Sequence, residues 1–245
     1  MLKTTELFGV NITNERESKI LEYILQRLKS SNKKLIIYTP NPEILVYALK
    51  HNEYKKILNK ADIALPDGIG LFIAAGVMGR PFEERIPGVD FIEELCKASE
   101  EKPISIGLLG GKAGIAERAA ECLKAKYPWI DVVFTGSVWP YKLSNPANLP
   151  IDILFVAFGF PKQEEWIYKN LKDLPVKAAM GVGGAFDYIS GEVTRAPFLV
   201  RAIGFEWLFR LIRQPWRIKR QLALISFAGL VLREIVGKIS LRKVS

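Results

Sequence analysis

Histidine is all but missing from this sequence and cysteine is scarce. The 245 residues hold one histidine, His51, and two cysteines, Cys96 and Cys122. Two cysteines cannot build a disulfide framework. Both fall in segments with helical patterning, so two buried free thiols in a reducing compartment are expected. His51 stands at the end of a predicted helix without metal or triad partners and is expected at the surface. No Gly-x-Ser-x-Gly elbow and no Cys/His dyad occurs, which argues against acyl transfer. No Asp-x-Asp pair is present to carry a divalent metal between protein and diphosphate. The stretch Met1 to Lys19 is polar and mixed in charge, with no apolar run of the kind a signal peptide needs. No internal repeat or low-complexity segment stands out.

What is present is a large apolar fraction, 49%, enough for one sizeable domain or one domain with an appendage. Short apolar runs alternate with helical patterns. Strands are predicted at Leu35–Tyr38, Ile63–Leu65, Ile104–Leu109, Val132–Phe134, Ile151–Phe158 and Val176–Val182. Helices are predicted at Ser18–Lys29, Pro42–Lys50, Gly70–Met78, Val89–Ser99, Ala113–Lys126, Gln163–Asn170 and Ala185–Ser190. Continuous apolar strands separated by helices predict an α/β fold, a Rossmann-like buried parallel sheet flanked by helices. In such sheets ligands bind beyond the carboxyl ends of the strands, so the chemistry is sought there.

Charge is unevenly distributed. From Arg201 onward ten cations face only Glu206 and Glu234, a net +8 out of the total +9. The chain therefore divides into a near-neutral catalytic core, residues 1–198, and a basic helical C-terminal appendage, residues 199–245. Such an arm seeks phosphate on lipid, nucleotide or nucleic acid. Helical patterning covers Phe205–Ile212 and, beyond Pro215, Trp216–Ser240. The apolar stretch Leu222–Leu232 would span roughly 16 Å as a helix, against about 30 Å for a bilayer core. It is too short to cross a membrane and suited to lie in its interface.

Several strand ends carry polar or glycine-rich turns. Thr39-Pro40-Asn41-Pro42 places Asn41 as an N-cap before a proline-opened helix, and Thr39 and Asn41 can also offer hydrogen bonds to a hydroxylated ligand. Leu65-Pro66-Asp67-Gly68 is a turn sequence in which Asp67 either stabilises the turn or, beside the apolar wall Ile69–Val77, serves as a general base. Gly107 to Gly114 joins strand to helix, which suits either a tight turn or a phosphate held at a helix N-terminus. It is neither the dinucleotide fingerprint nor a P-loop, since Lys112 is followed by Ala113. Gly159 to Trp166 and Gly181 to Asp187 repeat the strand–glycine–helix pattern. Three such turns on one sheet edge point to nucleotide binding more strongly than any one alone. With no metal-carrying pair, arginines and helix N-termini would have to stabilise a leaving diphosphate.

Taken in order, these motifs resemble the WecG/TagA/CpsF family of bacterial glycosyltransferases. The resemblance covers most of the chain: Thr39 to Glu43, Leu65 to Gly70, Arg85-Ile86-Pro87-Gly88-Val89-Asp90, Leu109-Gly110-Gly111, Tyr127-Pro128, Gly159 to Glu164, Gly181 to Asp187, Arg195-Ala196-Pro197, and Gly204 to Trp207 through Arg210, Pro215, Arg217 and Arg220. It implies an inverting, metal-independent transferase that needs no cofactor. The implied donor is a UDP-sugar, commonly UDP-N-acetylmannosamine. The implied acceptor is a polyprenyl-diphosphate-linked sugar, usually N-acetylglucosamine, feeding teichoic acid or another surface polysaccharide. Carried over by motif, Asp67 is the base toward the acceptor hydroxyl and Thr39 and Asn41 line its pocket. Gln163 is a donor-sugar contact, and Gly110, Gly111, Gly183 and Gly184 form the nucleotide cradle. Arg210, Arg217 and Arg220 complete the site over the diphosphate. Arg85, Glu164, Asp187 and Arg195 lie in the same motifs and join the substrate-binding set. One departure is the segment after the fourth predicted strand, Thr135 to Tyr141 followed by a short link to Ile151, where Trp139 or Tyr141 would replace an aromatic of the family.

The resulting expectation is a cytoplasmic enzyme, peripheral on the inner face of the cell membrane. Its tail docks on anionic lipid through Trp207, Trp216, Leu222 and Phe227, orders over the core, and self-associates when off the membrane. Two other classes fit parts of the pattern: a nicotinamide-dependent oxidoreductase, from the sheet and glycine turns, and a nucleic-acid-binding protein, from the basic, aromatic-bearing tail. The missing fingerprint opposes the first, and the apolar Leu222–Leu232 run favours lipid over the second.

Overall fold

The structure, a computed structural model, describes residues 2–30, 33–138, 151–215 and 218–242, with the last helix's side chains described at 218 and 222–237. The chain opens with a hairpin, β1 (Thr4–Leu7) and β2 (Val10–Thr13), and helix α1 (Glu17–Ser30). Then come β3 (Leu35–Tyr38), α2 (Pro42–Lys50), α3 (Asn52–Leu58), β4 (Ile63–Ala64), α4 (Ile69–Val77) and α5 (Gly88–Ala98). The second half runs β5 (Ser105–Gly110), α6 (Ile115–Lys126), β6 (Asp131–Gly136), β7 (Ile151–Ala157), α7 (Lys162–Asn170), β8 (Val176–Gly181) and α8 (Ala185–Ile189). It closes with α9 (Phe198–Ala202), α10 (Glu206–Arg213) and α11 (Ile218–Arg242).

The main sheet has six strands in the order β4-β3-β8-β7-β5-β6, all paired in parallel. Helices cover both faces, so successive side chains enter two separate cores. Ile37, Ile106, Leu108, Ile153, Phe155 and Met180 pack with α1, α5, α6 and α8. Tyr38, Leu109, Leu154, Val156 and Ala179 pack on the opposite face with α2, α3, α4, α7 and α11. The six predicted strands are all present, with ends displaced by a residue or two.

The N-terminal hairpin has no counterpart among the predicted elements. Its turn is Phe8-Gly9, with φ of 54° and 75°, in place of the Asn-Gly or Asp-Gly that marks such turns in a sequence. Leu7, Val10 and Ile12 are buried in the second core, so the polar-looking N-terminus is a structural element. Thr13 Oγ1 accepts the Ala64 amide at 3.0 Å, covering the edge strand β4. The thiol expectation needs a correction: Cys96 is buried, whereas Cys122 is exposed. Helix α6 buries Ile115, Ala116, Ala119, Ala120 and Leu123, and Cys122 falls on its outer face. His51 is at the surface as expected, stacked on Tyr47 at 3.8 Å.

Among the described residues the basic C-terminal stretch carries helices α9, α10 and α11, and α11 returns along the body against α2 and α4. Phe227 and Val231 belong to the second core, with Phe227 set edge-on against Phe8 at 5.7 Å. Phe227 is thus packed against the body and not turned outward to a membrane surface, while Leu222 remains exposed. Trp216 lies outside the described residues. Among the described residues no helix is long and apolar enough to cross a membrane.

Candidate active site

The carboxyl ends of β3, β4 and β8, with the turns after β7 and β8, converge on a cavity of about 820 Å³. Its wall includes Thr39, Asn41, Asp67, Arg85, Gln163, Gly183, Gly184 and Arg210. Residues far apart in sequence meet because parallel strands deliver all their carboxyl ends to one edge.

Asn41 caps α2: its Oδ1 accepts the Ile44 amide at 3.0 Å. That leaves its Nδ2 as the group available to a ligand. Thr39 Oγ1 donates to Gly181 O at 3.1 Å, keeping its lone pairs as acceptors. Asp67 hangs on the loop between β4 and α4, its amide bonded to Pro40 O at 3.0 Å. Burial pushes its carboxyl up to about 7, against the pull of a hydrogen bond from the Gly88 amide and the nearby Arg85 charge. Glu206 and Asp90 push it further upward. A carboxylate so placed ionises near neutrality, where a general base works best.

A relay fixes the floor of the cavity. Gln163 Oε1 accepts the Gly183 amide at 2.9 Å, and Gln163 Nε2 donates to Glu164 Oε1 at 2.8 Å. Both side chains are almost fully buried. Burial pushes the Glu164 carboxyl up to about 7. Its Oε2 and the Tyr54 hydroxyl both lack a regular hydrogen bond, yet they interact across the α3–α7 contact. Glu164 does not line the cavity but bonds Gln163, which does.

Arg210 projects from α10 over the β8–α8 turn. Its guanidinium lies 4.6 Å from the Tyr188 ring centre and 3.6 Å from Asp187 Oδ2, and Nε donates to Gln214 at 3.3 Å. Nη2 is buried with no hydrogen-bond partner. Only glycine permits this approach, since a Cβ on Gly184 would stand 2.9 Å from Nη2. Asp187 thus contacts the arginine and is not part of the cavity wall.

Arg195 also lies off the wall. It bonds Asp90 Oδ1 at 2.5 Å and Glu206 Oε1 at 3.2 Å, and Arg201 reaches the same Asp90 oxygen at 3.5 Å. Arg85 donates to Arg201 O at 3.1 Å. These bonds bind the segment leading into α9 and α10 to α5, which sets Arg210 over the turn. Gly110 and Gly111 stand apart from the cavity, at the end of β5 beside β7. There the connection from β5 leads one way to β6 and that from β7 leads the other way to β8, a topological switch point. A Cβ on Gly110 would meet the Ala157 backbone at 2.8 Å, so this glycine serves strand packing as well. Arg217, the Arg220 side chain, Trp139 and Tyr141 lie outside the described residues.

Tyr188, Glu206, Phe160 and the cavity wall of α11 were not anticipated as site residues, whereas the apolar run Ile69–Val77, expected to wall a pocket, supplies Ile69, Gly70, Ile73, Ala74 and Val77 to the lining. Tyr188 directly follows the Gly181 to Asp187 motif, a position that could have been read as an aromatic support for an arginine. Trp207, anticipated as a lipid contact, also lines the cavity. Among the described residues no group of three His, Cys, Asp or Glu side chains is placed to hold a metal ion.

The cavity brings together a carboxyl pushed up to about 7, a guanidinium whose Nη2 makes no hydrogen bond, and the glycine turn after β8. The sequence matches the glycosyl transferase WecG/TagA/CpsF family over residues 5–240. It is 31% identical over 97% of its length to an N-acetylglucosaminyldiphosphoundecaprenol N-acetyl-beta-D-mannosaminyltransferase of Bacillus subtilis (strain 168), covering 94% of that protein. A protein of the same name from Staphylococcus aureus (strain MRSA252) is 32% identical over 88% of this chain and 87% of its own. The chain belongs to the WecG/TagA/CpsF family, and it is a glycosyltransferase.

Proposed function

We propose that this enzyme transfers N-acetylmannosamine from a UDP donor to N-acetylglucosamine carried on a polyprenyl diphosphate, with inversion and without a metal ion. The relatives' names supply the sugar and the acceptor. The observation that carries the reading is the pairing, in one cavity, of the desolvated Asp67 carboxyl with the Arg210 guanidinium, whose Nη2 makes no hydrogen bond and has the Asp187 carboxylate beside it at 3.6 Å.

In this scheme Asp67 takes the proton of the acceptor hydroxyl as its oxygen bonds to the anomeric carbon. The bond from that carbon to the diphosphate breaks on the opposite face, and UDP leaves with the electron pair. Arg210, with Arg217 and Arg220, holds the charge that builds on the diphosphate. Thr39 and Asn41 orient the acceptor, Gln163 contacts the donor sugar, and the turns at Gly110–Gly111 and Gly183–Gly184 cradle the nucleotide. Arg195 and Asp187 act by holding Arg210 and its neighbours.

The tail is the membrane-facing appendage of this scheme, at the inner face of an anionic membrane. Phe198, Leu199, Ile203 and Ile212 are exposed on α9, on α10 and between them, close to Arg201 and Arg213, a mixture suited to a headgroup layer. The product would enter teichoic acid or a related surface polymer. The test measures UDP release from a panel of UDP-sugars with a prenyl-diphosphate-N-acetylglucosamine acceptor, with and without chelator. Release confined to the N-acetylmannosamine donor and unaffected by chelator is expected. Release from another donor alone, or loss of activity in chelator, overturns the corresponding part.

A further inference from the structure

One wall of the cavity has no counterpart in the chemistry above. Helix α4, IGLFIAAGV, carries no polar side chain, yet only Leu71, Ala74 and Ala75 of its nine residues are buried. A surface helix ordinarily turns polar residues outward. Here Ile73 and Val77 are 56% and 57% exposed and line the cavity. Opposite them α11 presents Leu224, Phe227, Ala228, Val231, Leu232 and Ile235. Their spacing is one helical stripe, without a polar residue in it. Phe227 and Val231 pack inward, while Leu232 stays 63% exposed at the rim. The two stripes therefore face one another without closing, and the trough between them opens into the chamber that holds Asp67, Arg85 and Arg210.

We propose that this trough between α4 and α11 is the binding subsite for the first isoprene units of the acceptor lipid. The inference rests on the transfer reading above and specifies where the acceptor's tail runs. The occupant follows from continuity and charge. A lipid diphosphate sugar needs a polar chamber for the sugar, cations for the diphosphate, and an apolar channel leading away from both. A single cavity provides the three. Helix α11 then serves twice. It packs on α2 and also forms one bank of the lipid path, so this part of the tail contributes to acceptor recognition.

The test is photo-labelling of the full chain with geranylgeranyl diphosphate bearing a terminal benzophenone, followed by peptide mapping. Label is expected on residues 69–77 and 222–235, displaced by a tenfold excess of unlabelled geranylgeranyl diphosphate and untouched by inorganic diphosphate. Val77→Asp, at an exposed position, should lower that labelling at least fivefold without changing the melting temperature by more than about 2 °C, as for a surface substitution. Label confined to residues 198–212, displacement by inorganic diphosphate alone, or unaltered labelling of Val77→Asp overturns the proposal. Labelling needs no turnover. Specific labelling in a protein that transfers no sugar leaves the trough standing and sinks the transfer reading. Transfer accompanied by labelling elsewhere does the reverse.

Discussion

Replacing Asp67 with asparagine should stabilise the protein while removing the proposed base. Burial raises the carboxyl from 3.8 to about 7, so ionising it in the folded state carries a free-energy penalty. At about 1.4 kcal/mol for each tenfold change the ceiling is roughly 4 kcal/mol. Water reaching the carboxyl through the cavity lowers that to about 2 kcal/mol. The sign follows from proton linkage. Between about pH 4 and pH 7 the unfolded chain has lost this proton and the folded chain keeps it, so wild-type stability falls as pH rises through that window and levels off above it. Asparagine has no such dependence. For a chain of this length about 2 kcal/mol corresponds to roughly 4–8 °C in Tm. Calorimetric Tm of the two proteins at pH 8 should differ by that amount in favour of Asp67→Asn, and the gap should shrink toward pH 4. A gap of equal size at both pH values, or a less stable variant at pH 8, would refute the claim that this carboxylate is desolvated.

Other consequences are equally specific. Gly184→Ala puts a Cβ against Arg210 Nη2, 2.9 Å away, and should lower kcat by about tenfold or more at unchanged fold, as expected when a charge-stabilising donor is displaced; circular dichroism and steady-state kinetics check this. Glu164→Leu removes the acceptor that holds Gln163 and should raise the donor KM about tenfold, the value of one hydrogen bond to a charged group, whereas Glu164→Gln should restore most of it; equal losses in both variants would show the carboxylate itself to be required. Phe227→Ala, which empties the contact between α11 and Phe8, should cost about 3–5 kcal/mol in urea unfolding.

Much of the fold was readable because parallel strands buried on both faces are continuous apolar runs, and even the edge strand β6, none of whose residues is fully buried, keeps an apolar run at Val132–Phe134. The hairpin was not, because Phe8-Gly9 is a weak turn signal and its strands are short. Side-chain facing was the harder property. Cys122 sits on a helix whose periodicity points it outward, and Phe227 lies in an apolar run that reads as a lipid contact until α2 and Phe8 are seen beneath it. In the site, Thr39, Asn41 and Asp67 were legible from their positions after strands. The facing of other motif residues was not: Glu164, Asp187 and Arg195 share motifs with wall residues but stand behind the wall, Glu164 bonded to Gln163, Asp187 beside Arg210, and Arg195 tied to Asp90 and Glu206. Motif membership places a residue near a site, while only packing decides which side chains face the cavity.

Whether Asp67 is the base of the transfer reaction is tested most directly by the pH dependence of kcat/KM. The assay follows the proposed transfer of N-acetylmannosamine from a UDP donor to a prenyl-diphosphate-N-acetylglucosamine acceptor, with wild type beside Asp67→Asn. Since the carboxyl must be ionised to accept a proton, the wild-type rate should rise tenfold per pH unit below a midpoint near 7, and the variant should be slower by about a hundredfold or more across the range. A variant that keeps the wild-type rate, or a wild-type profile flat from pH 5 to 8, would contradict that role.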